Sequence, residues 1–259
     1  ISIVTISYNQ GRFLERCLQS VISQRRAGCD RYVVVDAGST DGSRELIARH
    51  AGGIDEVVLE ADRGPADGLN KGFARAGGDV LGYINADDML APGALERVRG
   101  FFAARPEMDV LCGAFRLVDE EGRPALRKRT ADPFDVRRYI AGVCMVGQQG
   151  TYFRRRIFER TSGFNPENRV SWDGELLVDM ALAGAHFATL PQVLGDWRIY
   201  GGTITGTSGH VARLQAEMDR IARRLRQRNV ALYSGVETRV LRWLYRYNLA
   251  RHLRYLLVA

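Results

Sequence analysis

The sequence predicts an α/β fold in which a mostly parallel central sheet is flanked by helices, with a helical extension at the C-terminal end. Three observations predict it. Ile1–Ser7, Arg31–Asp36 and Val80–Ile84 are short runs rich in β-branched and aromatic residues with little alternation, as strands buried on both faces are. Helical periodicity fills the intervals between them, so strand and helix alternate and the crossovers should be right-handed. The last fifty residues then change character, becoming basic, aromatic and helical throughout.

Taken in order, ISIVTIS is the first strand and closes in Tyr8-Asn9. Phe13, Leu14, Cys17, Leu18, Val21 and Ile22 recur at helical spacing behind it. The second strand, RYVVVD, ends on Asp36 and is followed by a turn rich in glycine and cap residues, AGSTDGS, and a helix over Arg44–His50. Ile54–Leu59 is a third strand candidate. Gly64-Pro65 forces a turn after Asp62, and Asp67–Ala76 reads as a helix ended by Gly77-Gly78.

The stretch GDVLGYINADDML, residues 78–90, organises the chain. Its apolar strand stops abruptly at Asn85, Ala86, Asp87 and Asp88. Two adjacent carboxylates repel unless a cation or a donor-rich ligand holds them, and Mg²⁺ or Mn²⁺ is the natural partner of such oxygens beside a diphosphate. The alternative is a solvated pair capping the helix that starts near Pro92. What favours a site is convergence: Tyr8-Asn9, Asp36, Asp62 and Asp87-Asp88 all fall at strand ends, where open α/β sheets bind ligands.

Beyond the acidic tip, Leu95–Phe102 reads as a helix, Asp109–Phe115 as a strand, and residues 120–124 as a turn. Val143–Phe153 reads as strand or loop lining, where Gln148 and Gln149 offer neutral hydrogen-bonding groups for either a turn or a substrate. Arg154–Arg160 is a short basic helix. Asp173 and Glu175 precede the apolar helix Leu176–Leu182, either one able to act as a cap. Phe187–Leu190 is a further strand, and Trp197–Gly202 an aromatic and basic loop suited to closing over a phosphate.

At the C-terminal end, Val211–Arg228 is a basic helix, and Ser234 with Glu237 forms a capping box for a second helix reaching Leu257. Arg239, Arg242 and Arg246 form a stripe interleaved with Trp243, Tyr245, Tyr247, Leu253 and Tyr255. That mixture suits an anionic membrane surface, a docking surface, or a helix packed on its own domain with solvated arginines. Residues 220–259 hold ten arginines against one acid, Glu237, which leaves the rest of the chain near −2 of the +7 total. A basic tail of this kind argues against a nucleic-acid groove running over the fold.

At 259 residues and 46% apolar content the chain can bury a full core. Cys17, Cys29, Cys112 and Cys144 form no C-x-x-C pair, so neither a zinc site nor a disulfide framework is expected, and a reducing, cytoplasmic setting fits. No run reaches the roughly 18 apolar residues of a membrane span, and no signal-peptide pattern precedes the first strand. GxGxxG follows neither of the first two strands and GxxxxGK[ST] is absent, which argues against NAD and P-loop chemistry.

The ordered set ISIVTISYN, VVVDAGSTDGS, DRGPADGLNKGFARAGGDVLGYINADD, QQGTYFRRRIFERTSGF and WDGELLVDMALAG resembles glycosyltransferase family 2, bacterial inverting enzymes of the GT-A fold, over residues 1–205. Residues 206–259 are then a basic, aromatic-rich helical extension. The resemblance implies that Asp36 recognises the nucleotide base, and that Tyr8, Asn9, Asp62, Asn70, Lys71, Asn85 and Ala86 surround the nucleotide. It makes Asp87 the ligand of Mn²⁺ or Mg²⁺ and Asp173 the catalytic base. Gln148, Gln149, Trp172, Glu175, Arg198 and Tyr200 would serve the acceptor or the phosphates. Departures from the family pattern are Asn85 at the first position of the DxD triplet, Gly174-Glu175 after the base, and Tyr200 where His is common.

The implied activity is transfer of a sugar from a nucleoside-diphosphate sugar, UDP being commonest, to a saccharide or lipid-linked acceptor hydroxyl in surface polysaccharide or glycoconjugate synthesis. The basic tail keeps peripheral attachment to the inner face of the cell membrane through residues 234–259 open beside docking to another chain or packing on the parent domain, and a homo-oligomer stays open too. The competing readings are an inactive nucleotide-sugar-binding scaffold and a sugar-phosphate nucleotidyltransferase. The latter needs a basic, glycine-rich loop that Ser7-Tyr8-Asn9-Gln10 does not supply.

Overall fold

The computed structural model describes residues 1–124, 128–203 and 209–247. Its elements are β1 (Ser2–Ser7), α1 (Gly11–Ile22), β2 (Arg31–Asp36), α2 (Ser43–Arg49), β3 (Glu56–Val58), α3 (Pro65–Phe73), β4 (Val80–Asn85), β5 (Met89–Leu90) and α4 (Ala94–Ala104). There follow β6 (Val110–Val118), α5 (Val136–Ile140), β7 (Thr151–Arg154), α6 (Arg155–Phe158), α7 (Trp172–Leu182), β8 (Phe187–Arg198), α8 (His210–Gln227) and α9 (Gly235–Arg246).

The strands form one sheet in the order β3-β2-β1-β4-β7-β6-β8-β5. Its first half, β3-β2-β1-β4, is wholly parallel, as the alternation of strand and helix requires, and β6 and β8 also run parallel. The pairs made by β7 and β5 are antiparallel.

Side-chain alternation along β1 explains the three layers. Ile3 packs into the core beneath α1, α2 and α4, with Leu14, Leu18, Ile47, Val98 and Phe102. Val4 points the other way, into the core beneath α3, α6 and α7, with Leu69, Phe73, Ile157 and Leu176. Each such fully buried aliphatic side chain contributes about 1.5–3 kcal/mol. The close fit of α3 depends on Gly72, where a Cβ would stand 2.4 Å from a Val4 methyl.

Two expectations are corrected. The strand at Phe187–Leu190 runs on to Arg198, so Trp197 and Arg198 belong to β8 and not to a loop. Pro191 reads as a terminator because it lacks an N–H. Here it sits where the register with β6 slips between Gly113↔Leu190 and Ala114↔Val193, an irregularity that tolerates proline. The α7 helix starts at Trp172, so Asp173 and Glu175 lie inside it and Ser171 holds the N-cap position. The stretch Val143–Phe153 is, as expected, a mixture of loop and strand: residues 143–147 are loop, and Gln148–Gly150 is a 3-10 turn leading into β7.

In the C-terminal extension, Val178 of α7 packs on Ile221 and Leu225 of α8. The capping box of α9 is formed: the Glu237 N–H donates to Ser234 Oγ at 3.2 Å, and the Ser234 N–H to Glu237 Oε2 at 2.7 Å. The expected domain boundary at 205/206 and the helical stretch carrying Leu253, Tyr255 and Leu257 lie outside the described residues.

Candidate active site

Parallel pairing aligns the C-terminal tips of β1, β2 and β4, with Ser7 opposite Asp36 and Ile6 opposite Asn85. These tips carry polar atoms that the protein leaves unpaired. Ser7 Oγ, Asp36 Oδ2 and Asn85 Oδ1 are buried and have no hydrogen-bond partner. Buried polar atoms are rarely orphaned, because each lost partner costs about 1–3 kcal/mol, so three at one sheet rim point to a polar ligand.

Asp36 is fully buried. Burial alone would raise its pKa, but the Ser39 hydroxyl, the Arg44 guanidinium and the N–H groups of Ser39 and Gly38 outweigh burial and hold it below the usual carboxylate value. The anion is therefore anchored through Oδ1 while Oδ2 stays available.

The rim opens into a cleft of about 650 Å³. It is lined by Tyr8, Gln10, Ala37, Asp62 and Pro65 after β1, β2 and β3, by Asn85–Asp88 at the tip of β4, and by Val146–Gln149, Val170, Trp172, Asp173 and Trp197 from the second half of the chain.

Asp87 and Asp88 take different environments. Asp88 is 2% exposed, and both its oxygens are occupied: Gln149 Nε2 donates to Oδ2 at 2.7 Å and the Arg198 N–H to Oδ1 at 2.8 Å. Burial first, then the neighbouring Asp87 charge, raises its pKa well above the usual value. Asp87 is half-buried on the cleft side, its Oδ2 3.3 Å from the Tyr200 hydroxyl, which also lies 3.1 Å from Gln10 Oε1. Burial raises the pKa of Asp87 as well, and its backbone N–H, Tyr200 and Arg198 offset that only in part.

Neither acid caps the helix after Pro92, since Gly93 holds the N-cap of α4 without a side-chain bond. Two packed carboxylates whose ionisation is disfavoured form a site that a cation would stabilise. Among the described residues no group of three or more His, Cys, Asp or Glu side chains is assembled. The donor set therefore fits a hard ion that takes one or two carboxylates and completes its shell with phosphate oxygens and water, the habit of Mg²⁺.

Asp173 lines the same cleft from the first turn of α7. Burial raises its pKa, opposed by the N–H groups of Gly174 and Asp173 itself. Its neighbours are fixed by packing. A Cβ on Gly174 would fall 1.6 Å from the Tyr139 hydroxyl, so glycine is what lets α5 press on the start of α7. Gly174→Ala is expected to cost about 1–3 kcal/mol of stability through this overlap, checked by urea unfolding.

Tyr8, Asp62, Asn85, Ala86, Asp87, Gln148, Gln149, Trp172 and Asp173 thus share one cleft. Asp36 lies buried directly under its rim. Other expected site residues do different work. Asn9, in a left-handed conformation, holds the next turn, its Oδ1 accepting from the Thr40 N–H at 2.9 Å. Asn70 closes on the Phe164 backbone in both directions, and Lys71 reaches Ala61 and Glu60.

Glu175 is turned inward, 1% exposed, and accepts from Asn165, Asn168 and Arg220. Arg198 is no phosphate ligand in this arrangement: it is 1% exposed, lies over the Phe13 ring, and donates to the carbonyls of Asp87, Asp119 and Glu120. Tyr200 donates to Asp87 through its hydroxyl and is not among the residues that line the cleft. Gln10, Pro65, Asp88 and Thr203, which receive no separate role from the sequence, do line it. For Gln10 and Asp88 the available signal was adjacency to Asn9 and Asp87 at strand tips.

The model of the family described as Glycosyl transferase family 2 matches residues 2–168. An uncharacterised glycosyltransferase of Nostoc sp. is 28% identical over 235 residues, covering 85% of this chain and 72% of that one. Among solved structures, residues 1–349 of Staphylococcus aureus TarS in complex with UDP-GlcNAc superpose with a TM-score of 0.65 at 17% identity, covering 85% of this chain and 69% of that one. The mannosyltransferase PcManGT of Pyrobaculum calidifontis, in complex with GDP-Man and Mn²⁺, gives a TM-score of 0.66 at 18% identity over 99% of this chain and 72% of that one. These neighbours share the GT-A fold.

Proposed function

The chain belongs to glycosyltransferase family 2, and from that premise we propose that it transfers a sugar, with inversion, from a nucleoside-diphosphate sugar to the hydroxyl of a saccharide or lipid-linked acceptor. The observation that supports this reading is that Asp87 and Asp173 line a single cleft, at whose rim the Asp36 and Asn85 side chains keep unpaired oxygens.

In this reading Asp36 Oδ2 accepts from an N–H of the base, and Asn85 meets the ribose. Asp173 accepts the proton of the acceptor hydroxyl while that oxygen forms its bond to the anomeric carbon. The bond from that carbon to the diphosphate oxygen breaks, and the nucleoside diphosphate leaves. Asp87 would hold Mn²⁺ or Mg²⁺, which when bound would supply positive charge to the diphosphate. Burial of Asp88 between Gln149 and the Arg198 backbone keeps the Asp87 loop in place. Trp172 and Trp197 give the sugar apolar walls.

UDP-sugars are the first donors to test, GDP-sugars the second, since the solved relatives hold one of each. The proposed setting is the cytoplasm and the acceptor a growing surface polysaccharide or glycoconjugate. The four free cysteines agree with a reducing compartment.

Calorimetric titration with a panel of nucleotide sugars, with and without Mn²⁺, tests the donor side. One donor class should bind with a clear gain from Mn²⁺. Asp87→Asn should reduce that gain by more than the roughly tenfold to hundredfold that loss of an outer-shell partner costs. Equal affinities with and without the ion, or an unchanged gain in the variant, would remove Asp87 from metal binding.

A further inference from the structure

The outer face of α9 presents an apolar stripe to solvent. Val236, Val240, Trp243, Leu244 and Tyr247, spaced by three, four and seven residues, are 50–63% exposed. Four large apolar side chains on one twelve-residue helix and a fifth, Tyr247, at its C-cap exceed the scattered exposure of ordinary surfaces. The inner face is accounted for: Tyr245 donates to Asp132 Oδ2 at 2.5 Å, Arg242 Nε donates to the Ala141 carbonyl at 2.8 Å, and Leu241 is half-buried.

Charge decides what fits the outer face. Arg239 and Arg246 lie along one edge of the stripe, and neither has an ion-pair partner among the described residues. The same holds for Arg223 and Arg226 on α8. A protein partner would need a matching row of acids around an apolar groove. An anionic bilayer supplies both at once, acyl chains for Trp243 and Leu244 and lipid phosphates for the arginines. No helix among the described residues is long and apolar enough to cross a membrane, so the contact would lie in the interface.

We propose that α9 docks on an anionic phospholipid surface and that this contact is linked through α5 to the start of α7, where Asp173 sits. The geometry behind the second half is a chain of contacts. α9 is bonded to Asp132 and Ala141, which flank α5, and Tyr139 of α5 abuts Gly174 beside Asp173. A membrane on α9 is thereby joined by one short element to the residue proposed to deprotonate the acceptor. This second half rests on the proposed transfer reading, whereas the docking itself does not.

Vesicle sedimentation separates the two. Binding to phosphatidylcholine vesicles containing phosphatidylglycerol should exceed binding to phosphatidylcholine alone and weaken as salt rises. Replacing Arg239 and Arg246 together by Glu should weaken it about thirtyfold or more, and Trp243→Ser should weaken it at both salt concentrations. All these positions are on the surface, so circular dichroism should show the fold unchanged, and transfer to a water-soluble acceptor should persist. Vesicle binding that is equal for neutral and anionic lipid, or equal for variant and parent, overturns the docking. Absence of vesicle binding overturns it too, and a dimer in sedimentation equilibrium that Trp243→Ser disperses would then assign the stripe to a second copy of the chain. Docking with no transfer activity at all would overturn the proposed function and leave the lipid contact standing.

Discussion

Asp173→Asn is expected to lower kcat about a thousandfold while nucleotide-sugar affinity stays within about twofold, because a positioned carboxylate base contributes roughly 10²–10⁴ and Asp173, which lines the cleft, is the base proposed here. Asn keeps the shape and the hydrogen-bonding reach of the side chain but cannot take a proton. The pH dependence follows from the direction of the pKa shift. Burial holds the Asp173 pKa above the ordinary value of about 3.9, and a base works only when ionised. Activity is therefore present at neutral pH and lost on acidification at a pH higher than a solvated aspartate would give. That acid limb in kcat/KM should vanish from the residual activity of the Asn variant. A variant with parental kcat, or with loss of donor binding equal to its loss of turnover, would place the base elsewhere.

How much of this site could be read from the chain depends on whether a residue's role is local. Strand tips are local: an apolar run that stops at Asn85 or Asp36 announces a polar rim, and parallel pairing then brings those tips together without further information. The inward packing of Glu175 and Arg198 depends on partners up to 45 and 78–111 positions away, which the local sequence does not announce. Both are charged residues next to cleft residues, and both are folded inward because a guanidinium finds carbonyls, or a carboxylate finds guanidinium and amide groups, on the buried side. Sequence adjacency to Asp173 or to Trp197 carries no information about that choice. Pro191 misled for a related reason, since its local meaning as a strand breaker holds only where the ladder is regular. The division of labour within Asp87-Asp88 was hidden for the same cause: Gln149 and the Arg198 N–H, which occupy Asp88, come from β7's approach and the end of β8.

The inward turn of Glu175 leads to the second large effect. Its carboxylate is 1% exposed and lies between Arg220 and Arg224 of α8, with Asn165 and Asn168 completing its shell, while Arg224 also reaches Asp179 one turn further along α7 at 2.7 Å. The C-terminal extension is thus clamped to the helix that carries Asp173. Replacing Arg220 and Arg224 together by Ala leaves a buried carboxylate with only two amides. Breaking a buried pair this way costs about 3–5 kcal/mol, and the lower part of that range applies because the two arginines keep 36% and 28% of their side-chain surface in water. A loss near 3 kcal/mol should be visible as a lowered urea midpoint with an unchanged m-value.

The sign of the pH dependence separates this account from simple loss of packing. In the parent, burial would raise the Glu175 pKa, but Arg220, Asn168 and Asn165 win and hold it low. Its stabilising contribution is therefore complete above the unfolded value of about 4.3 and is lost as pH falls through the lower folded value. Without the arginines burial dominates, the folded pKa rises above the unfolded one, and the double variant should gain stability relative to the parent as the pH is lowered toward 4. Since Glu175 lies two residues from Asp173 in the first turn of α7, kcat should fall as well, by up to about a hundredfold for a displacement near 1 Å, with donor affinity unchanged. A double variant with parental stability and parental turnover would show that α8 rests on α7 without holding it.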